Sequence, residues 1–413
     1  MKIWHPYTQE GAEADPIEID RGEGAYLYTR DGRRLIDAIS SWWVNLHGHG
    51  HPLIAEAIAS QAKKLEHVIF AGFTHEPAEE LAERLSRIVP AALNRVFYSD
   101  NGSTAVEAAL KIAVQYWHNR GRKEKSRIVA LENAYHGDTA GAMSVSADSP
   151  FTAAFDALRL PVLRVQGVDG LQQLLEKRNN EIAAMIVEPL VHGAGGMTMY
   201  PAAVLKRYSE LCAAEDVLFI ADEVFTGFGR TGRMFACDHA GVIPDVMCLS
   251  KGLTGGFLPL AATLCREEVY EAFYGKERER AFFHGHSYSG NPLGCAAAIA
   301  NLKIFETEPV FDRIAGIERI HAERLGEFRK NPKVSDVRTL GTIAAIELRT
   351  EDAGYLSQWR QRLYPLFLDR GVLLRPLGNV IYTVPPYVIA AGDLHYIYDV
   401  IAKAVDRLSS PFS

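Results

Sequence analysis

Six short apolar and β-branched runs, separated by stretches with helical spacing, constrain this chain more than any other feature of its sequence. They are Arg95 to Tyr98, Arg127 to Leu131, Ala184 to Val187, Val217 to Ala221, Val246 to Leu249 and Leu260 to Leu264. Strands that are hydrophobic on both sides and alternate with helices need cover on both faces. The pattern therefore predicts an α/β fold with a large domain built on a mainly parallel sheet between helix layers. The 413 residues suffice for two or three folding units at roughly 150 residues each. The texture changes before about residue 46 and after about residue 305, where pieces such as Tyr26-Leu27-Tyr28-Thr29-Arg30-Asp31-Gly32-Arg33 read as a hairpin. We expect residues 46–305 to form the large domain, and residues 1–45 and 306–413 to fold together as a smaller α+β domain.

Charge and cysteine usage narrow the function classes. With 44 basic and 51 acidic residues the net charge is −7, so no basic field draws the chain to nucleic acid or anionic lipid. No apolar run reaches the 18 or so residues of a membrane span, and Met1 to Pro6 lacks the apolar core of a signal peptide, so a cytoplasmic location is expected. Cys212, Cys237, Cys248, Cys265 and Cys295 are widely spaced without a C-x-x-C, which fits buried thiols better than disulfides or zinc.

The chemistry resides at strand ends. The run ending at Ala221 leads into Asp222-Glu223, and Lys251, 29 residues beyond Asp222, follows the run ending at Leu249. In a parallel α/β sheet ligands collect at the carboxyl ends of strands, so an acid and a lysine there can face one site. A lone strand-end lysine is ordinarily a solvated surface residue. Paired with an acid, it matches pyridoxal 5'-phosphate, which needs an amine to form an imine and a carboxylate to keep its pyridine nitrogen protonated. The phosphate needs a cradle. Asp100-Asn101-Gly102-Ser103-Thr104, opening a helix that runs from Ser103 to Trp117, supplies free N–H groups at the positive end of a helix dipole, although the same residues also make an ordinary cap. Tyr135-His136-Gly137-Asp138 can place an aromatic ring over a flat cofactor, and Trp42-Trp43 near the domain junction has the same ambiguity between site and core. Arg375 offers a guanidinium fork for a substrate carboxylate.

Two motifs point elsewhere. Gly227-Phe228-Gly229-Arg230-Thr231-Gly232 fits a dinucleotide fingerprint, but it starts too far from the preceding strand and opens no amphipathic helix. His47, His49 and His51 alternate as metal ligands can, without a carboxylate or cysteine at ligand spacing.

Taken together, these segments resemble the class III aminotransferases, almost end to end. The carriers are Trp4-His5-Pro6-Tyr7-Thr8, Ser40-Ser41-Trp42-Trp43, Asp100 to Glu107, Tyr135 to Thr139, Gly193 to Met197, Asp222 to Gly232, Lys251 to Gly256 and Arg375-Pro376. The first two are the narrowest and point to the biotin-synthesis branch. The resemblance implies a fold-type I transferase and a homodimer with active sites at the subunit interface. It further implies ping-pong transfer of an amino group from S-adenosylmethionine, or lysine in some relatives, to 8-amino-7-oxononanoate, giving 7,8-diaminononanoate. Lys251 would hold the cofactor as a Schiff base, Asp222 would meet the ring nitrogen, and Gly102 and Ser103 the phosphate. Tyr135 and Val224 would press the two ring faces, while Gly285, His286 and Ser287 would arrive from the second subunit. Tyr7, Trp42, Trp43, Tyr135, Arg375 and Tyr382 would line the substrate site, with Tyr7 counted among the catalytic groups.

Relatives often read Gly-Pro-Thr-Phe-Met-Gly-Asn-Pro where this chain has Gly285-His286-Ser287-Tyr288-Ser289-Gly290-Asn291-Pro292, and Leu377 replaces a common phenylalanine. These departures leave the amino donor open. An ω-aminotransferase acting on a diamine, ornithine or 4-aminobutyrate keeps the same chemistry, but the aromatic wall of Tyr7, Trp42 and Trp43 exceeds what a small charged substrate needs. A catalytically silent module on the same fold is disfavoured because acid, lysine and phosphate loop are all intact.

Overall fold

The computed structural model describes residues 2–13 and 15–407; residues 1, 14 and 408–413, all within the segments expected to form the smaller domain, lie outside the described residues. Its centre is a seven-stranded sheet of β1 (Leu93–Ser99), β2 (Arg127–Leu131), β3 (Leu163–Val165), β4 (Ile182–Val187), β5 (Leu218–Asp222), β6 (Val246–Leu249) and β7 (Ala261–Arg266), in the spatial order β1-β7-β6-β5-β4-β2-β3. β3, β2, β4, β5 and β6 are parallel, and β7 runs against both of its neighbours. The fold is thus α/β with a mainly parallel sheet.

The double cover follows from the residues. In β2, Ile128 and Ala130 join one apolar cluster while Val129 and Leu131 join another, as the two-residue strand period requires. The first cluster is closed by helix α1 (Gly102–Asn119) through Ala105, Val106, Ala109 and Ala113; the second by helix Ala202–Ala214 through Leu205, Tyr208 and Cys212. All four residues of β6 are buried, the Val246, Met247 and Leu249 side chains each contributing about 1.5–3 kcal/mol by leaving water. β3 was not foreseen, because three residues next to Pro161 and interrupted by Arg164 carry too little period to read.

The two chain ends knit together beside this sheet. Strands Ile19–Glu23, Tyr26–Thr29 and Arg34–Asp37 form an antiparallel meander, and Val372–Leu373 adds to its last strand in parallel. A second sheet pairs Val334–Leu340, Ile343–Leu348 and Val380–Thr383. Ser40–Trp43 is a left-handed turn with φ of +52°, +45°, +73° and +73°, which costs roughly 1–2 kcal/mol per residue. Asp37 offsets that strain by accepting the N–H groups of Ile39 and Ser41 at 3.3 and 2.9 Å and the Ser41 hydroxyl at 2.8 Å. The turn sends Trp43 inward and leaves Trp42 37 % exposed.

Candidate active site

β5 and β6 end side by side, with Asp222 in register with Cys248. Lys251, three residues past Cys248, therefore emerges at the same sheet edge as Asp222, and both line one cavity of about 720 Å³ with Gly102, Ser103, Tyr135 and Val224. Lys251 has φ of +33°, sparsely populated for a residue with a side chain. Its amine lies 4.7 Å above the Trp43 ring and 5.6 Å from that of Phe225. Burial pushes this amine down to about 8, against the upward pull of the Asp222 and Glu188 carboxylates.

Asp222 is buried, and its two oxygens are aligned by different partners. His136 Nδ1 donates to Oδ2 at 2.7 Å, and the Val224 N–H donates to Oδ1 at 3.1 Å. His136 and Glu188, also in the cavity wall, were not assigned roles from sequence; the carboxyl end of β4, just before Glu188, is the signal that could have found the latter. Glu188 accepts the Tyr135 N–H at 2.8 Å and the Gly193 N–H at 3.0 Å, which fixes the loop carrying Tyr135. Burial works to raise the Glu188 carboxyl, but His192, 3.5 Å away, together with His136 and the Tyr135 N–H, holds it below its usual value.

The start of α1 fits a phosphate. Asn101 caps the helix by accepting the Thr104 N–H at 3.1 Å, leaving the Gly102 and Ser103 N–H groups with no protein acceptor among the described residues. A Cβ on Gly102 would stand 2.6 Å from Val224 Cγ1, so the backbone comes closer to the cavity wall than any other residue type permits. Acid, amine and free N–H groups thus surround one space, which is the set that pyridoxal phosphate requires.

An aromatic and cationic cluster of Tyr7, Trp42 and Arg375 adjoins the cavity through Tyr7 without lining it, and Arg375 lines a second cavity of about 640 Å³. The Tyr7 hydroxyl donates to Asp138 and lies 3.3 Å from that of Tyr135, so Tyr7 is tied to two cavity residues without lining the cavity itself. Burial and the Asp138 carboxylate push the Tyr7 hydroxyl up to about 12, and burial also raises Tyr135. Trp42 packs edge-on to Tyr7 at 5.3 Å, and the Arg375 guanidinium lies 5.0 Å from the Trp42 ring centre. Arg375 has no carboxylate partner among the described residues; its one hydrogen bond goes to the Tyr7 carbonyl at 3.4 Å. Tyr382 is buried behind Trp43 and accepts its indole N–H at 3.2 Å. Gly285, His286 and Ser287 are outside the lining, on an exposed segment where His286 Nε2 lies 3.9 Å from Asp100 Oδ1.

The other motifs are absorbed by structure. Arg230, in the glycine-rich segment, is buried and donates to the carbonyls of Trp43, Asn45 and Pro385, clamping that segment onto the two chain ends. Buried Glu223, pushed up to about 7 by desolvation, accepts the N–H groups of Ala236 and Cys237. His47, His49 and His51 turn to Asn301, Asp37 and Glu308 respectively. All five cysteines are buried and free.

Comparison with known proteins agrees with this geometry. The aminotransferase class-III family model matches residues 7–405. The adenosylmethionine-8-amino-7-oxononanoate aminotransferase of Synechococcus elongatus is 48 % identical, covering 98 % of this chain and 99 % of the relative. That of Geobacter sulfurreducens is 42 % identical, covering 98 % and 96 %. The crystal structure of the enzyme of that name from Methanocaldococcus jannaschii superposes with a TM-score of 0.95 at 39 % identity, over 99 % of this chain and 98 % of the other. An amine transaminase from an uncultivated Pseudomonas species, solved in its PLP-bound form, gives 0.92 at 33 % identity, with 99 % of each chain covered. The chain belongs to the class III aminotransferases.

Proposed function

We propose that this protein transfers an amino group from S-adenosylmethionine to 8-amino-7-oxononanoate, giving 7,8-diaminononanoate for biotin synthesis, with pyridoxal 5'-phosphate as cofactor. One observation carries the reading: Asp222, at the end of β5, and Lys251, just past the end of the neighbouring parallel strand β6, share one cavity with a pair of helix N–H groups that have no protein acceptor among the described residues. The substrate assignment rests on the full-length relatives of that name.

When bound, the cofactor supplies a carbonyl for an amine and a ring that takes up the electrons left when a proton departs the donor carbon. The residues do the rest. Gly102 and Ser103 would hold the phosphate, with Tyr135 and Val224 bounding the space for the ring. Asp222, fixed by His136, would keep a proton on the ring nitrogen. Lys251 would anchor the cofactor, and its Nζ, when free, would accept the proton leaving the donor carbon, which its depressed affinity for protons permits near neutrality. Arg375, with no carboxylate partner among the described residues, receives that of the acceptor, and Tyr7, Trp42 and Trp43 enclose its chain. Tyr7 keeps its proton at working pH and fixes Asp138 at the cavity mouth.

The reading includes a cytoplasmic homodimer in which the partner's loop at 285–287 completes the site. Exposed Phe283 and Tyr288, at 74 % and 63 %, flank that loop and suit burial against a second copy. It also takes residues 1–45 and 306–413 as one domain and 46–305 as the other, in keeping with the strand pairing between the chain ends.

The test is a half-reaction screen by absorbance, offering S-adenosylmethionine, lysine and 4-aminobutyrate separately. Bleaching of the cofactor band by S-adenosylmethionine, reversed by 8-amino-7-oxononanoate, is expected; lysine acting in its place would keep the acceptor and change the donor. Bleaching by 4-aminobutyrate alone would overturn the assignment.

A further inference from the structure

The helix Pro292–Thr307 passes beneath the short turn Lys251–Thr254 and presents Asn301 to it. Asn301 has no exposed surface, and its side chain is fully engaged. Both Nδ2 hydrogens are donated to the turn, to the Gly252 and Leu253 carbonyls at 3.0 Å each. Its Oδ1 accepts from His47 Nε2 at 2.9 Å. The residues following Lys251 are shaped for this contact: a Cβ on Gly255 would come within 3.1 Å of Asn301 Oδ1, and one on Gly252 within 3.2 Å of Leu46 and Phe228.

The turn settles which way the amide points. The Gly252 and Leu253 carbonyls can only accept, so the amide nitrogen must face them and Oδ1 must face His47. The His47 ring is enclosed by Phe305 and Tyr387, and burial pushes it down to about 3, so it is neutral; facing an acceptor at 2.9 Å, Nε2 is the nitrogen that carries its hydrogen, and this bond locks the amide in place. The carbonyls belong to the two residues immediately after Lys251, whose own backbone is held at a φ of +33°. Such a conformation persists only where its surroundings over-determine it.

We propose that Asn301, locked by His47, is a positioning residue for the reaction: it holds the turn that aims the Lys251 amine into the cavity. This rests on the reading of Lys251 as the cofactor-bearing lysine. A side chain that only fills the core can be exchanged for one of its own shape, whereas the two donors to the turn cannot.

The test compares Asn301→Asp, near-isosteric but without the Nδ2 donors, with His47→Gln, whose amide N–H can replace Nε2–H, in purified holoenzyme. Three quantities are read: the pH titration of the visible band of the Lys251–cofactor linkage, amide hydrogen exchange over residues 251–255, and kcat separately from KM for the acceptor. Asn301→Asp is expected to shift the titration midpoint, speed exchange in the turn at least tenfold and lower kcat at least tenfold with KM for the acceptor within about twofold. His47→Gln is expected to keep all three near wild type. Asn301→Asp with unchanged midpoint and turn exchange would overturn the proposal. If Asn301→Asp does not fold, His47→Phe, which removes the donor that locks the amide, is read in the same way, and an unchanged midpoint and exchange there overturn it. A band at a lysine other than Lys251 would instead refute the underlying reading of the site.

Discussion

The depressed affinity of Lys251 for protons makes a quantitative prediction about how the enzyme takes up its cofactor. Only the uncharged amine attacks a carbonyl. At pH 8 a lysine with the ordinary value of 10.5 is uncharged in about one molecule in 300, whereas a lysine brought down to about 8 is uncharged in about half, a gain of roughly 150-fold in reactive amine. If cofactor-free enzyme is mixed with pyridoxal phosphate in a stopped-flow spectrometer from about pH 6.5 to about pH 10, the rate of band formation should climb and then level with a midpoint near 8. The neighbours give the sign of a second shift. Glu188 stabilises the ammonium form, so Glu188→Gln should move the midpoint below that of the parent enzyme. A rate still climbing tenfold per pH unit through pH 10, or a midpoint that rises in Glu188→Gln, would refute the claim that burial among these charges sets the reactivity.

Asp222→Asn keeps the shape of a side chain that accepts from His136 and the Val224 N–H but removes its charge; the donor half-reaction should slow by about 10²–10³-fold, read by single-turnover absorbance. Gly102→Ala places a methyl 2.6 Å from Val224, and overpacking of about 1–3 kcal/mol should appear as faster cofactor loss on dialysis and a lower melting temperature. Arg375→Leu removes the guanidinium that this reading offers to the acceptor carboxylate, so KM for 8-amino-7-oxononanoate should rise by about 10–100-fold, corresponding to about 1.5–3 kcal/mol, while bleaching by the donor alone changes less.

How legible the site was depends on the range of the interactions that build it. Lys251 and Asp222 could be read because both follow apolar strands, and parallel topology places such positions at one sheet edge. The helix opening at Gly102 could be read because capping is a local property of Asn101 and Thr104. What could not be read was decided between distant segments. The left-handed turn at Ser40–Trp43 depends on Asp37 and on the Val384 carbonyl, and it alone separates Trp43, under the Lys251 amine, from Trp42, outside the cavity lining. His136 was visible as a residue next to Tyr135, but its partner lies 86 positions away. The antiparallel direction of β7 carries no signature either, since a fully buried strand reads alike in both orientations. The three alternating histidines show the converse: their spacing suggested one site, and tertiary structure gives each a separate partner.

The claim that Lys251 carries the cofactor is tested most directly by borohydride reduction of the holoenzyme followed by peptide mapping. Reduction should fix a pyridoxyl group on the peptide containing Lys251 and on no other. A stable label on a different lysine, or a coloured enzyme in which Lys251 remains unmodified after its band is bleached by the reductant, would contradict it.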